Sequence, residues 1–471
     1  MSKNWGPADW IDERQERFIA MSDDIWAHPQ VALAETYACA LQSEFLAANG
    51  FKITSNVGDM PTAFYAEWGS GSPIIGFLGE YDALPNLSQT ASTAQEQVVA
   101  GGPGHGCGHN MLGTASLAAA MSLKAWLEET GKPGTVRYYG CPAEETGAGK
   151  VFMARDGVFH DLDAALTWHP WASNTVAVSS SLAIDHIKFH FHGVTSHAAA
   201  HPEHGRSALD AVELMNVGVN FMREHMMESA RVHYVITNGG GQPNVVPDEA
   251  EVWYYVRSPE RDQVDELTAR IIRIANGAAM MTDTELDIRD FYGIHNMLPN
   301  QTISSLMFDV LTELGPIEFN DAERAFGKAV AAGYPERIRR AGIRGAGLPE
   351  SAFDEPLLGE AMKPGDPNKV MSGSTDVSEV SWIAPTAEVH TTCHPAGVPG
   401  HSWGITATGG MSIGHKGMLH AAKVMAVTAA ELHNDPSLLE QAKQEYLSST
   451  GGKPYKAPIP EGTVPPQPVL S

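Results

Sequence analysis

A chain of 471 residues, 43% hydrophobic and 18% charged, exceeds one ordinary core at roughly 150 residues per domain and carries the apolar material for folded ones. Its formal net charge of −25 and its lack of a basic run exclude a nucleic-acid partner, although a few local cations could still hold an anionic small molecule. Four scattered cysteines, Cys39, Cys107, Cys141 and Cys393, make no disulfide framework, and the opening MSKNWGPADWIDERQERF holds no apolar leader, so a cytoplasmic, reducing setting is expected.

The first 50 residues set Trp10, Phe18, Ile19 and Ile25 at helical spacing and close at Asn49-Gly50, which predicts outer helices. Three short apolar runs then end in polar residues: Ile74 to Leu78 before Glu80 and Asp82, Val136 to Tyr139 before Glu144 and Glu145, and Ala164 to Leu166 before His169. These read as strands, with helical patterns between them such as Met111 to Thr130, stopped by Gly131. The alternation predicts an α/β sheet with helices on its faces, and ligands in such sheets sit beyond the carboxyl ends of the strands. The most apolar helical run, from Leu112, meets Lys124 only 12 residues on, short of the ~20 needed to span a bilayer, so no membrane partner is expected. From Leu182 the texture becomes strand (Ile184 to His192), helix (Ser207 to Glu224), a strand pair near Val232 and Trp253, a further helix and a strand near Leu286. That order predicts an inserted α+β domain over 182–296, leaving 1–181 and 297–471 as two parts of one catalytic domain. Asn320 to Asn368, rich in Gly, Pro and charge, reads as a long functional or subunit-contact loop with some helix. The last 21 residues hold six prolines and read as an extended tail rather than core.

Cys107 and His109 stand two residues apart in the glycine-rich run Gly102 to Asn110, just ahead of a helix. Both are good ligands for divalent metals, and glycine lets the backbone fold tightly enough for them to converge; an incidental pair in a flexible loop is the plain alternative. Glu144 and Glu145 follow a strand, where neighbouring side chains point apart, so one can bind metal while the other faces a substrate. Coordination lowers the pKa of a water toward ~7, and a nearby carboxylate can then take and return its proton. Two solvated glutamates are the alternative here. His169, and His401 in a proline-flanked loop, complete a Cys, His, Glu, His cluster of the kind a two-metal site requires. Of the six histidines between His186 and His204, most are read as solvated residues rather than as a second metal site, with His197 set apart.

The strings GEYDALP, GHGCGHN, CPAEETGAG, ALTWHP, GVTSHAAAHPEHGRSALDAV, GGGQPNVVPDEAEVWYYVRS and GSTDVSEVSW, spread over about residues 76 to 420, resemble in order the metallopeptidase family that contains aminoacylases, glutamate carboxypeptidases and auxin-conjugate amidohydrolases. The resemblance implies a zinc-peptidase-like α/β catalytic domain with an inserted ferredoxin-like dimerisation domain. It implies Cys107, His109, Glu145, His169 and His401 as ligands of two divalent ions, Zn²⁺ or Mn²⁺, and Glu144 as general base. It implies His197 as a donor that reaches into the partner subunit's site to stabilise an oxyanion, and Asn244 and Arg257 as the grip on a substrate carboxylate. The expected activity is cleavage of N-acyl or aroyl amino acids such as p-aminobenzoyl-glutamate, by a homodimer or a heterodimer with a related subunit. A β-alanyl-type dipeptidase, a hydrolytic deaminase and a non-catalytic subunit partner are the alternatives. Two departures stand out. Asn110 replaces the aspartate usual in auxin-conjugate hydrolases, so their acyl specificity does not transfer. Glu80 stands where the carboxypeptidase branch has a histidine ligand, which leaves Asp82 as an orienter behind the ligands.

Gly400-His401-Ser402-Trp403-Gly404 also fits the G-x-S-x-G pattern of serine hydrolases, but that elbow needs a strand before it, and Pro395 and Pro399 precede it here. The glycines of 102–108 match neither nucleotide-binding fingerprint.

Overall fold

The computed structural model describes residues 5–146 and 148–467. Along the chain run β1 (Lys52–Ser55), β2 (Phe64–Ser70), β3 (Ile74–Glu80), β4 (Gly134–Cys141), β5 (Ala164–Trp171), β6 (Thr175–Ala177) and the two-residue β7 (Ser180–Ser181). Then come β8 (Ala183–His192), β9 (Arg231–Asn238), β10 (Glu249–Ser258), β11 (Glu285–Ile294), β12 (Val370–Met371) and β13 (Thr386–Thr392). Seven of them form one mixed sheet in the order β1-β2-β4-β3-β5-β13-β6. Its central strands β4, β3, β5 and β13 are parallel, so their carboxyl ends share one edge. Such strands are covered on both faces, which is why β3 is a nearly unbroken apolar run buried from Ile75 to Glu80.

Helix His109–Thr130 covers one face together with Ser412–Asn434, in a core that includes Leu112, Leu117, Tyr138, Val389 and Met425. The helix ends where Gly131 takes a left-handed φ of +65°, as its sequence position predicts. The N-terminal helices Gly6–Asp12, Gln15–Ala27 and Thr36–Ala48 wrap this layer and bury Ile11, Phe18 and Ile25 in it. The opposite face packs on Phe152, Phe159, Val380 and Ile383.

β8 to β11 form a separate antiparallel sheet in the order β11-β8-β10-β9, with helices Ala208–Met222 and Arg261–Thr282 between the strands in sequence. This is the β-α-β-β-α-β connectivity and strand order of a ferredoxin-like unit. Ile187, Phe189 and Phe191 of β8 pack with Val212, Met215 and Ile271 of the helices, so the alternate residues His186, Lys188, His190 and His192 point to the other face.

Two regions differ from the reading of the sequence. The segment from Asn320 to Asn368 is built on helices Asp321–Ala332 and Glu336–Gly345 and a short turn at Glu350–Phe353. The first helix starts at a reciprocal cap: Glu323 N–H donates to Asn320 Oδ1 at 2.9 Å and Asn320 N–H donates to Glu323 Oε2 at 2.7 Å, a local signal stronger than the glycine content around it. Among its described residues the proline-rich tail lacks helix and strand but is packed against the fold. Tyr455 and Ile459 cover the core under the second sheet face, and Tyr455 donates its hydroxyl to Glu379 at 2.5 Å. Proline forbids ladders without forbidding burial. Among the described residues no helix is long and apolar enough to cross a membrane.

Candidate metal and catalytic centre

The carboxyl edge of the parallel strands opens onto a cavity of about 690 Å³, and the loops that leave those strands bring their polar side chains to its floor. The glycine-rich run can lie there because of its small residues. A Cβ on Gly104 would sit 1.9 Å from the Leu87 carbonyl oxygen, and Gly108 holds φ +79° at the start of helix His109–Thr130. Cys107 and His109 are thereby turned toward His169 at the end of β5. Cys107 Sγ is 3.4 Å from His169 Nε2, while His169 Nδ1 lies 2.9 Å from the Pro170 carbonyl, which fixes the tautomer that leaves Nε2 free. Glu145 enters from the turn after β4. His401 enters from a loop at φ +52°, its Nε2 3.3 Å from Glu145 Oε2.

The structure thus draws together all five sequence-predicted ligand residues. Donor atoms of Cys107, His109 and His169 lie within 4.8 Å of one another, those of Cys107, Glu145 and His401 do the same, and Cys107 is common to both sets. Asp82 joins them from behind: Oδ1 is 2.9 Å from His109 Nδ1 and Oδ2 accepts the Glu145 N–H at 2.9 Å. One buried carboxylate therefore aims a ring and a backbone at once.

The electrostatics of the floor call for cations. Burial, with Glu145 beside it, pushes the Cys107 thiol up, and burial together with Glu80, Glu145 and Asp376 holds Glu144 well above the usual carboxylate range. Glu145 is raised by burial against the pull of His109, whereas Asp82 is lowered despite its burial because His109 faces it. Burial carries His169 down to about 4, a neutral ring at pH 7. Two buried donor atoms at the floor, His109 Nε2 and Glu145 Oε1, lack a hydrogen-bond partner among the described residues. A thiol, imidazoles and crowded carboxylates with free lone pairs are the donor set that divalent ions of the Zn²⁺ or Mn²⁺ kind take, so residues and group fit.

Three residues of this floor have no role assigned from the sequence. Lys150, fully buried, donates from Nζ to Glu80 Oε1 and to Asp376 Oδ1, each at 2.6 Å, and Glu80 Oε2 lies 3.3 Å from His109 Nε2. Glu80, His109 and Glu144 form a third group of close donor atoms. Asp376 lies inside the GSTDVSEVSW string, a signal without a role. Lys150 offers none, because a lone lysine at a helix start looks solvated. The separation of Glu144 from Glu145 also has a different origin from the strand alternation expected: β4 ends at Cys141, and the pair sits in a turn opened by Ala143 at φ +60°.

Above the floor, His186, Tyr255, Arg257 and Tyr292 of the second sheet line the same cavity. Arg257 is half-buried, and among the described residues it forms no ion pair; Nη1 reaches only Ser374 Oγ, at 3.4 Å, and the buried Nε has no partner. Tyr292 donates to the Thr146 carbonyl at 2.6 Å, tying this sheet to the turn that carries Glu145. His197 and Asn244 are not drawn in. Both are exposed on neighbouring loops, where Ala198 N–H donates to the Asn244 carbonyl at 3.0 Å. His197 Nδ1 accepts from the Ala199 and Ala200 N–H groups at 3.2 Å, so its outward Nε2 carries the proton. Ser402 is no elbow nucleophile: an irregular loop precedes it, its hydroxyl donates to the Pro399 carbonyl at 2.7 Å, and it lies 2.9 Å from the Tyr334 hydroxyl. Asn110 is structural, its amide donating to Ser22 Oγ at 3.0 Å and to the Gly409 carbonyl at 3.1 Å.

Known proteins are similar to this chain in sequence and in fold. The profile of peptidase family M20/M25/M40 matches residues 76–460. The sequence is 44% identical to one of the subunits of p-aminobenzoyl-glutamate hydrolase from Escherichia coli strain K12, over 97% of each chain. It is 30% identical to the Xaa-Arg dipeptidase of Mus musculus, over 93% of this chain and 91% of that one. Among solved structures, an aminobenzoyl-glutamate utilization protein from Klebsiella pneumoniae shares the fold with a TM-score of 0.60 at 16% identity, covering 91% of this chain and 97% of that one. A dinuclear metal-binding peptidase from Bacillus subtilis does so at 0.55 and 18% identity, covering 89% and 98%.

Proposed function

The chain belongs to peptidase family M20/M25/M40, whose named relatives are hydrolases of amide bonds, and from that premise we propose that it cleaves the amide bond of N-aroyl amino acids, with p-aminobenzoyl-glutamate as the first substrate to try. The observation that carries this reading is the placement of Arg257, a half-buried guanidinium without a carboxylate partner among the described residues, over the cavity whose floor holds Glu144 and the Cys107, His109, Glu145, His169 and His401 cluster. A guanidinium fork suits a substrate carboxylate bidentately. With the amino-acid end held there, the scissile amide falls toward the floor.

Cys107, His109, Glu145, His169 and His401 are assigned as the residues that hold two divalent ions, and such ions, when bound, acidify a water and polarise an acyl oxygen. Glu144 is assigned as the base. Its raised proton affinity suits a group that takes the water's proton and hands it to the leaving amine. Asp82 orients His109 and the Glu145 backbone. His186, packed between Tyr255 and Tyr292 and carried by burial to about pKa 3, stays neutral and leaves Arg257 as the cation of that wall.

His197 and Asn244 fit the reading if they act on a second protomer. We assign residues 182–296 as the pairing unit, through the exposed apolar residues Val217 and Phe221 of helix Ala208–Met222 and Tyr234, Val235 and Ile236 of edge strand β9. The partner is a second copy or a related chain, as the name of the Escherichia coli relative, a subunit of its hydrolase, suggests for that protein. Four unpaired cysteines support a reducing, cytoplasmic setting.

The test is incubation of purified protein with p-aminobenzoyl-glutamate, with and without added Zn²⁺ or Mn²⁺, scoring released glutamate. Metal-stimulated release that a chelator abolishes supports the reading. Absence of release from this and every other N-acyl amino acid, in protein that binds two ions, defeats it.

A further inference from the structure

The far end of the second sheet holds a group of ligands that the cavity does not use. β8 lies between β10 and β11 in the register that sets His192 opposite Glu249 and Glu285, and His190 opposite Glu251 and Asp287. Paired residues share a face, and residues two apart on one strand share it too. Two histidines thus form the middle column of a grid flanked by carboxylates, on the face turned away from the helices. The side chains meet. His190 Nε2 contacts Glu249 Oε2, His192 Nδ1 lies 3.0 Å from Glu249 Oε1, and the two rings are 4.6 Å apart. The donor atoms of His190, His192 and Glu249 lie within 4.8 Å of one another. A second observation selects the ligand atom. His190 is only 9% exposed and its Nδ1 faces Glu251 Oε2 at 3.5 Å, the carboxylate-behind-histidine arrangement that places the ring proton on Nδ1 and leaves Nε2 as the ligand atom. Nearby cations do not fill the grid: Arg289 is engaged with Asp287, and Lys188 with Asp290 and the Trp253 ring.

From this juxtaposition we propose that His190, His192 and Glu249 bind a divalent transition-metal ion, distinct from the ions of the catalytic floor. Two imidazoles and one carboxylate make a ligand set suited to Zn²⁺, with a fourth position left for water. Position in the chain gives the ion a role. His192 is the last residue of β8 and Glu249 the first of β10, so the two ligands stand at the roots of the loops that carry His197 and Asn244, where Gly193 N–H donates to the Asp248 carbonyl at 2.7 Å. An ion here clamps both loops at their bases and fixes how His197 is presented. The binding claim stands apart from the hydrolase reading; the role in presenting His197 rests on it.

The test counts Zn²⁺ per chain in the full-length protein after metal stripping and equilibration with Zn²⁺, comparing the parent with His192→Gln and Glu249→Gln. Both side chains are partly exposed, and neither belongs to the catalytic floor. The expected result is one ion fewer per chain in each variant, with circular dichroism unchanged and the Zn²⁺-dependent rise in melting temperature reduced. Equal ion counts in parent and variants overturn the proposal. Should one variant fail to fold, the other decides by the same count. Failure of the hydrolase reading would show separately, as absent amide cleavage with the ion count difference intact.

Discussion

Lys150 Nζ bridges Glu80 Oε1 and Asp376 Oδ1 at 2.6 Å each with its side chain wholly out of solvent, so two buried carboxylates of the candidate metal floor share a single cation. Removing it leaves both charges buried without compensation. Lys150→Met is expected to lower stability by about 3–5 kcal/mol in urea unfolding, the usual penalty for breaking a buried pair. Lys150→Met combined with Asp376→Asn should recover part of that loss, and a double variant as unstable as the sum of the singles would show that the pairing is not the cause.

Glu144→Gln keeps size and hydrogen-bonding capacity but cannot take a proton. It is expected to lower kcat by about 10²–10⁴-fold while two ions per chain remain bound, whereas Glu145→Gln should lose metal. Metal counts alongside steady-state kinetics separate the two. Full turnover in both variants would remove them from the mechanism.

The sequence already marked the floor, because each of its donors ends a strand or sits in a loop whose small residues are conspicuous: Cys107 and His109 among glycines, His169 after Trp168, His401 among prolines. The parallel core was legible for the same reason, since strands buried on both faces are uninterrupted apolar runs such as Ile74 to Leu78. What stayed illegible depends on register and long-range approach. Lys150 meets Glu80 across 70 residues and Asp376 across 226, and no local pattern encodes either distance. The pairing of His190 with Glu251 joins β8 to β10, strands that helix Ala208–Met222 and β9 separate in the sequence, so the histidines of this stretch looked merely solvated. The extent of helix over 321–345 is masked by the Gly and Pro content of the segment, against which the Asn320–Glu323 cap is a local helix signal that the fold uses.

Glu35 gives a pH signature. It is fully buried, accepts the Ala143 N–H at 2.9 Å, and is carried from 4.5 to about 8 by burial first and by Asp82 second. Above pH 4.5 the unfolded chain releases this proton while the folded chain keeps it, so Glu35 makes stability fall with rising pH, by about 1.4 kcal/mol per unit, until the effect levels off near 8. Glu35→Gln preserves the acceptor and removes the titration. Melting temperatures at about pH 5, 6.5 and 8 should therefore show the variant gaining on the parent as pH rises. A difference independent of pH would assign the proton elsewhere.

If His197 serves the partner's site, activity can be rebuilt from two inactive chains. His197→Ala lacks the donor and Glu144→Gln lacks the base, so a mixed dimer contains one site with both intact groups. Mixing the variants under conditions of proven subunit exchange should restore part of the parent rate, up to about one quarter for random pairing in a dimer. Phe221→Asp, placed on the exposed apolar helix face, should weaken the pairing and lower activity more at low protein concentration. Exchange without rescue would assign His197 to its own loop alone.

Substrate choice follows from what the cavity fixes and what it leaves open. In the proposed reading Arg257, which lines the cavity, holds one end of the ligand as an anion and the floor acts at the adjacent acyl carbon, so geometry would set the bond class and the remaining walls the acyl group. Those walls are apolar and aromatic in part: Trp171 stacks on His390 with ring centroids 4.7 Å apart, and Leu348 joins the lining from the helical segment that follows Asn320. An aroyl group fits such a wall, and because a missing methylene shifts preference by only ~1–3 kcal/mol, related acyl groups should also be taken at lower kcat/KM. Across a panel of p-aminobenzoyl-glutamate, other N-acyl amino acids and β-alanyl dipeptides, the aroyl-glutamate is expected to rank first. Arg257→Met should raise KM for every member that carries the carboxylate and leave uncharged amides unaffected. Attack by an activated water does not depend on which amine leaves, so loss of ammonia from an aromatic amine, with no acyl-amino-acid bond cut anywhere in the panel, would replace amide cleavage with deamination as the activity of this floor.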